Sequence, residues 1–595
     1  MKKTVLFSLL LLLSTLIAAG QSTVVVFSVT GAPANESGKV GIRGNVAPLS
    51  WEETRWLTAQ PDGRWTTSIA FPAGTDLVEY KYVTEDRKGT PIWELDGYEN
   101  RLLLPDVSAS VSEQWNEPRP VEAANLPKLS PEALAEDFAI LKQAYRDLHP
   151  GLYRYNDEQA MEKHFQALEK ALSRELSYAE AYLEISKFLG KIQCGHTYAN
   201  FFNQSGLIQQ IILGRPDKLP FAFRLIDRRM IVTKNASQAT AFEPGVEILA
   251  VNGVPVPQIL DSLLTVVKAD GAADAKRLKD LEVTGYDYFE SFDVYFPLFF
   301  PPIAGQFAVE GRNLRTDEPV NATVEAIARR ERTARIQQRY GDLPTSLDDL
   351  WEFKVLDGKT GYLKLGTFTV WNFEMDWKAF LKNAFKTLDK EKIGRLIIDI
   401  RGNEGGADEV IYELGKYLVK EPCSVETFQE RIRYEKIPKD LQPYLFTWDK
   451  TIFDLTGQVE RLDDRFYVPK EAEADMQQLQ PSKQMYEGKV YFLIGPANSS
   501  ATFYLSRIAK ACNIATLVGQ ETGGSRRGLN AGIMFFLRLP NSRIEADLPV
   551  LGNFPRSEQP AGGIVPDILV EPDVRAVLEG RDPELEAALR AIGRE

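Results

Sequence analysis

Successive patterns of hydrophobic and polar positions divide the chain. Behind Lys2 and Lys3 stands an apolar run over residues 5–13, continuing through Ser14 and Thr15 to Ala19, then Gly20. This is the three-part layout of a secretory signal over residues 1–20, cleaved after Gly20. The alternative, a membrane anchor, is opposed by the short run and the lack of a stop-transfer pattern. Residues 22–112 carry short strand-like runs (23–27, 38–43, 77–83) separated by Gly, Pro and Asn turns, which predicts an all-β sandwich. Residues 113–129, rich in Pro and Glu, read as a linker.

From Ser130 the period lengthens. Pro131 follows a Ser130 cap, and Leu134, Phe138, Leu141 and Tyr145 recur at helical spacing. With further helices over 161–172 and 178–189, residues 130–215 form a predicted helical domain. Residues 216–342 mix strands and turns, including an apolar strand ending in Asn252-Gly253 and a helical extension over about 256–280. Residues 343–595 alternate strand and helix. A strand over 396–400 leads through a Gly-rich loop to a helix over 409–418, and a strand over 490–494 leads to a helix over 503–511. That is an α/β plan on a buried sheet.

Composition narrows the function classes. A chain of 595 residues with 44% hydrophobic and 26% charged residues is globular and multidomain. A net charge of -13 argues against a nucleic-acid binder, which needs positive charge to meet phosphates. Three cysteines exclude a disulfide-dense scaffold, and with three scattered histidines they offer no recognised metal-ligand spacing. Neither metal nor cofactor is expected, no second apolar span follows the signal, and nothing in the sequence fixes the oligomeric state.

The sandwich is dense in aromatics: Trp51, Trp56, Trp65, Tyr80, Tyr82, Trp93 and Tyr98. Some must be core, while an indole exposed at a turn would stack on a hexose. Gly44-Asn45, Leu49-Ser50-Trp51-Glu52, Glu79-Tyr80-Lys81-Tyr82, and Trp93-Glu94 followed by Asn100-Arg101 together resemble the family 20 starch-binding modules. The resemblance implies an α-glucan site made by Trp51, Trp93 and Lys81, with Asn100 as a further polar contact. The sequence departs from the family in placing Ser50 where Gly-Asn or Gly-Asp commonly precedes the tryptophan. A spacer or docking module is the other reading.

The strongest chemical signal is Gly495-Pro496-Ala497-Asn498-Ser499-Ser500-Ala501-Thr502, between a buried strand and a helix. A serine on such a turn is exposed at a helix N-terminus, which favours developing negative charge. Ser499 can equally be the helix cap. Asp399-Ile400-Arg401-Gly402-Asn403-Glu404-Gly405-Gly406 is a second element, whose glycines permit close backbone approach. It lacks the Gly-Lys-Ser/Thr ending of a nucleotide loop. Glu521-Thr522-Gly523-Gly524 and Gly562-Gly563-Ile564-Val565-Pro566-Asp567 complete the set.

In this order, over roughly residues 135–572, these pieces resemble family 41 of the serine peptidases, which includes the C-terminal processing peptidases and the tricorn core. The resemblance implies a crotonase-like (ClpP/crotonase) catalytic domain. It also implies Ser500 as nucleophile, and an oxyanion hole from the N–H of Ala501 and that of Gly405 or Gly406. One branch of the family takes a lysine after the serine as base, but Gly523-Gly524-Ser525-Arg526-Arg527-Gly528 has none, and arginine stays protonated. The tricorn-like branch takes a histidine from the helical domain, which points to His196 in Cys194-Gly195-His196-Thr197. Gly195 stands where that branch has a relay serine. Glu558 is the choice for orienting His196, with Glu545 as its rival. Around 244–256 the chain is similar to the peptide-binding PDZ-like insert of the family, which makes residues 216–342 a PDZ-like domain, or else a small connector. The function implied is a secreted or periplasmic serine peptidase acting on peptides or unfolded protein, held on starch or another α-glucan. The alternative is a non-catalytic glycan- or peptide-binding protein on a degenerate scaffold.

Overall fold

A computed structural model of the chain describes residues 22–593, apart from 34–37, 73–74, 76, 96–99, 106–108, 119–120, 122, 287–288, 342 and 472–475. The expected signal over 1–20 and Tyr98 lie outside the described residues. Two compact units form, Met1–Leu126 and Pro127–Glu595.

The first unit is a two-sheet sandwich. Thr23–Thr30 pairs antiparallel with Trp65–Phe71 and parallel with Ser110–Gln114, and Thr58–Ala59 completes that sheet. Gly41–Gly44 and Val78–Glu85 lie at the centre of the other. Alternation places Val25, Phe27, Val29, Ile69, Phe71, Tyr80 and Tyr82 in the core. The last strand reaches Gln114 and Trp115 packs into that core, so the sandwich extends into the segment expected as linker.

In the second unit the Ser130 hydroxyl caps Pro131–Leu148 by accepting from the Ala133 N–H at 3.3 Å. Helices Glu158–Ala171 and Tyr178–Ile192 follow, the latter with a capping box between Ser177 and Glu180. Phe221–Ile226, Arg229–Asn235, Val246–Val251, Gln306–Asn313 and Pro319–Glu325 make an antiparallel sheet. Asn252 and Gly253 turn the chain at φ +50° and +75°, the left-handed values a tight hairpin needs. The extension expected as helix over 256–280 is broken. It forms Val256–Leu263 and Asp274–Asp280, and the loop between them carries Lys268, Ala269 and Asp270.

The C-terminal region is built on an open six-stranded sheet in the order Trp351–Leu356, Thr360–Leu365, Arg395–Asp399, Lys489–Ile494, Thr516–Gly519, Ile568–Leu569. Only the first strand runs antiparallel to its neighbour. Leu396, Ile398, Phe492 and Ile494 pack with apolar residues of Trp377–Lys390, Glu409–Leu418 and Ser500–Ala511. Ile397, Tyr491 and Leu493 face the other way, onto Ala587, Ala588 and Ile592 of Pro583–Gly593. The α/β reading holds, but the crotonase-like expectation is corrected. Long stretches between the sheet strands go into small antiparallel ribbons, such as Gln429–Arg431 with Gly552–Phe554 and Met534–Arg538 with Glu545–Pro549. A disulfide the sequence reading did not foresee joins Cys423 to Cys512, at the end of the helix that Ser500 begins.

Candidate active site

Three loops meet at the carboxyl ends of strands Arg395–Asp399 and Lys489–Ile494, and two asparagines hold them together. Asn498 accepts from the Gly495 N–H (2.8 Å) and donates to the carbonyls of Ile400 (2.5 Å) and Asn403 (3.0 Å). Its own carbonyl accepts from the N–H groups of Gly523 and Gly524. Asn403 donates to the Leu365 carbonyl at 2.8 Å, and the Thr502 hydroxyl donates to the Asn403 carbonyl at 2.9 Å. Both asparagines are fully buried. This clamp holds Ser500 at φ +49°, a left-handed conformation that is costly for a residue with a side chain. Ser499 is not the side-chain cap: its hydroxyl donates to the Glu404 carbonyl at 3.0 Å and makes no capping bond.

Gly405 and Gly406 lie beside Ser500 at φ +115° and +138°. A Cβ on Gly405 would stand 2.8 Å from Ser500 Cβ and 3.0 Å from the Ala501 nitrogen, so only glycine leaves that space open. The two expected N–H donors are not equivalent. That of Gly405 is spent on Asn403 Oδ1 at 2.9 Å. Those of Gly406 and Ala501 have no acceptor among the described residues.

His196 and Ser500 line one cavity of about 260 Å³, with Gly195, Lys268, Asp270, Lys276, Glu404, Gly405, Gly406 and Gly523. Among the described residues, Nδ1 of His196 is buried without a hydrogen-bond partner. Burial, then the ammonium groups of Lys268 and Lys276, hold the imidazole far below its ordinary value, at about 3, with Glu404 acting in the opposite direction. The ring is therefore neutral at physiological pH. The glycine in place of the relay serine has a cause. Asp270 is buried and accepts from the Gly195 N–H at 3.0 Å, and a Cβ on Gly195 would stand 2.7 Å from its carboxylate.

Lys276 reaches the cavity from the broken extension. Its ammonium lies 2.5 Å from Asp280 and 3.1 Å from Glu404. Burial opposes its charge, but the two carboxylates outweigh that and raise its pKa. Lys268 has its ammonium 4.1 Å from the centre of the Tyr198 ring and forms no ion pair among the described residues. Sequence spacing did not single out Asp270, Lys268, Lys276 or Glu404.

Glu558 is not brought to His196: it is exposed and lines a different cavity. Its rival Glu545 is buried in an ion pair with Arg538 and does not line the Ser500 cavity either. His149 is fully buried, 2.9 Å from the Thr197 hydroxyl and stacked on Tyr145, and His164 is half-buried on Glu158–Ala171. Ser500 also borders a second cavity of about 200 Å³, whose wall includes Ile411, Tyr412, Phe428, Tyr504 and Leu551.

In the sandwich, the aromatics divide. Tyr80 and Tyr82 are core, whereas Trp51 and Trp93 are half-buried with ring centres 6.0 Å apart. Arg43 lies over Trp93 and donates to the Trp51 carbonyl at 2.9 Å, fixing the pair. Lys81 donates to the Leu95 carbonyl at 3.0 Å, and Asn100 to Glu79 at 3.0 Å. Trp56 is exposed, beneath Lys39.

Comparison with known proteins agrees with both halves of this description. Residues 359–570 match peptidase family S41, and residues 22–114 match the starch binding domain family. No curated protein matches the chain. Among solved structures, mature CPAF complexed with lactacystin is 15% identical and superposes with a TM-score of 0.52 over 78% of this chain and 97% of that one. Mature CPAF alone gives 15% identity and a TM-score of 0.51 over 77% and 96%. These likenesses show the fold, and it is the CPAF fold, in place of the crotonase-like one expected. The chain carries a serine-type peptidase domain of family S41 and an N-terminal starch-binding module.

Proposed function

We propose that Ser500 is the nucleophile of this serine peptidase and His196 its general base. The carrying observation is that a strained Ser500, a neutral His196 and Gly406 with its unspent N–H border one cavity, with the unspent N–H of Ala501 next in the chain to Ser500. Ser500 Oγ attacks the peptide carbonyl carbon as its proton passes to the imidazole. The carbonyl oxygen becomes an oxyanion facing the N–H groups of Ala501 and Gly406. When the C–N bond breaks, the imidazolium returns the proton to the leaving amine. Water, deprotonated in turn by His196, then releases the acid from the acyl-enzyme. Asp270 positions the His196 loop through Gly195. The cavity walled by Tyr412, Phe428, Tyr504 and Leu551 suits an apolar substrate side chain.

Peptides or unfolded proteins are the substrates in this reading. The PDZ-like role of residues 216–342 is kept within it, as a module that takes a substrate tail by adding it as an edge strand. The half-buried Trp51 and Trp93, with Lys81 and Asn100, hold an α-glucan and so raise local enzyme concentration near it. Export to an envelope or extracellular compartment is supported by the signal pattern and by the Cys423–Cys512 disulfide, a bond that persists in oxidising compartments. Among the described residues no helix is long and apolar enough to cross a membrane.

The test is a serine-reactive probe and an unfolded protein substrate. Labelling at Ser500 that vanishes in Ser500→Ala, complete loss of turnover there, and at least ~100-fold loss in His196→Ala are expected. Unchanged turnover in both folded variants would overturn the assignment.

A further inference from the structure

A second concentration of chemistry lies apart from Ser500. A cavity of about 700 Å³ is lined by Arg154, Arg431, Arg527 and Arg556 together with Phe554, and by a single carboxylate, Glu558. This is unexpected in a chain of net charge -13. Arg154 is 9% exposed, and its Nε and Nη1 are buried with no acceptor among the described residues. Its remaining nitrogen donates to the Asn553 carbonyl at 2.9 Å. Half-buried Arg431 spends two nitrogens on the neutral amide oxygen of Gln429, and exposed Arg527 spends one on the Arg154 carbonyl. Among the described residues, none of these three forms an ion pair with a carboxylate.

Two of the guanidinium groups also share one aromatic ring. Arg154 and Arg431 lie 4.4 and 4.6 Å from the centre of the same Phe554 ring. Ring contact offsets part of the desolvation of each cation, but it does not cancel their mutual repulsion. Burial lowers the pKa of both and outweighs the opposing fields of Asp270 on Arg154 and Asp463 on Arg431. An oxyanion seated between Arg431 and Arg527 would meet the planar donor fork that suits carboxylates, above the field of buried Arg154.

We propose that this cavity binds the carboxylates of an acidic segment of a polypeptide engaged at Ser500. The placement favours a polypeptide. Arg431 pairs with Gly552, Glu430 with Asn553 and Gln429 with Phe554 in one antiparallel ribbon. Glu430 and Asn553 border the cavity that Ser500 also borders, while Arg431 and Phe554 border the arginine cavity. Successive strand residues point to opposite faces, so one ribbon presents a wall to each site. The two cavities therefore share this ribbon as a common wall. The proposal rests on the peptidase reading for its ligand, and the experiment separates the two.

Matched peptides carrying an aspartate run or an asparagine run are compared as substrates of the full chain at low salt. The aspartate peptide is expected to have the higher kcat/KM, and the ratio of the two to fall about tenfold in Arg431→Gln and in Arg527→Gln. Arg431→Lys, which keeps charge but not the fork, should fall between. Cleavage with no preference for aspartate, or a ratio unmoved in both folded glutamine variants, overturns the proposal and leaves the peptidase reading standing. Fluorescence anisotropy of the labelled aspartate peptide on full-length Ser500→Ala reads binding without turnover. Arg431-dependent binding by a chain whose native form cleaves nothing would keep the site and sink the peptidase reading. Binding of inorganic phosphate or a sulfated glucan without binding of the aspartate peptide would overturn the polypeptide ligand.

Discussion

The sandwich and the Ser500 cavity both bury charge and hydrogen-bonding groups, yet they dispose of them in opposite ways. In the sandwich, Arg101 makes a forked pair with Glu94 at 2.7 and 2.8 Å and lies 3.4 Å from Glu113. Glu113 also accepts from the hydroxyls of Tyr80 and Tyr82, and Glu94 from the Tyr82 N–H. Apart from Nη1 of Arg101, which has only the 3.4 Å ion pair with Glu113, this polarity is answered by its neighbours and ties the strands together. Around Ser500, the asparagine clamp is just as closed, but beside it groups are left without partners among the described residues: Nδ1 of His196 and the N–H groups of Gly406 and Ala501. Closed networks make structure, and a closed network holding open donors makes a site ready for charge that appears only during reaction.

The largest expected effect strikes the closed side. Arg101→Met leaves Glu94 and Glu113 buried without their cation and should cost the sandwich about 3–5 kcal/mol. Denaturation of the full chain, read through retention on starch, should show an earlier midpoint, with peptide turnover per folded molecule unchanged. A native midpoint would mean that the network contributes little. On the open side, Gly405→Ala places a methyl against Ser500 and the Ala501 nitrogen. A loss of about 10²–10³-fold in kcat is expected, the usual effect of spoiling one oxyanion donor. Wild-type kcat in a folded Gly405→Ala chain would break the contrast.

The tryptophan pair sits between the two extremes, since it is neither core nor fully exposed. Trp93→Ala should weaken binding of a cyclic α-glucan by about 2 kcal/mol, the scale of an aromatic anchor. Calorimetry on the full chain measures this, and cleavage of a short peptide is the control expected to stay constant.

Legibility followed the same division. Ser500 and the glycine loop stood out as candidates because each sits in a local run with strong turn and helix signals, whereas His196 was singled out through its place in the family likeness. Asp270, Lys268 and Lys276 were not. The pattern over 256–280 is continuous enough to read as one helix, and only long-range packing breaks it and swings that loop onto His196. Glu558 had suitable spacing, but spacing does not say where the loop after Gly552–Phe554 carries a residue. The Cys423–Cys512 pairing was equally hidden, because its partners are 89 residues apart. The C-terminal sheet was legible as α/β, whereas its winding was not, since sequence does not say where intervening segments pack.

The smallest effect tests the open site most directly. The cations beside His196 disfavour its protonated form, Lys268 more than Lys276. Neutral imidazole is the form that accepts the serine proton, so activity is lost as pH falls through the pKa of His196. In the native enzyme the acid limb of kcat/KM should therefore lie well below the ordinary histidine value of about 6.5. The same depression means that the unfolded chain takes up this proton first. The stability contribution of neutral His196 is thus fully present above about pH 6.5 and declines as pH falls towards 3, so folding must be monitored alongside rate. Lys268→Met removes one cation and breaks no ion pair. Its acid limb should move up by roughly half to one pH unit, the scale of one partly screened charge a few ångströms away. The shift should shrink in high salt as screening weakens the native repulsion. An acid limb already near 6.5 in the native enzyme, or one that Lys268→Met leaves in place, would mean that these cations do not govern the base.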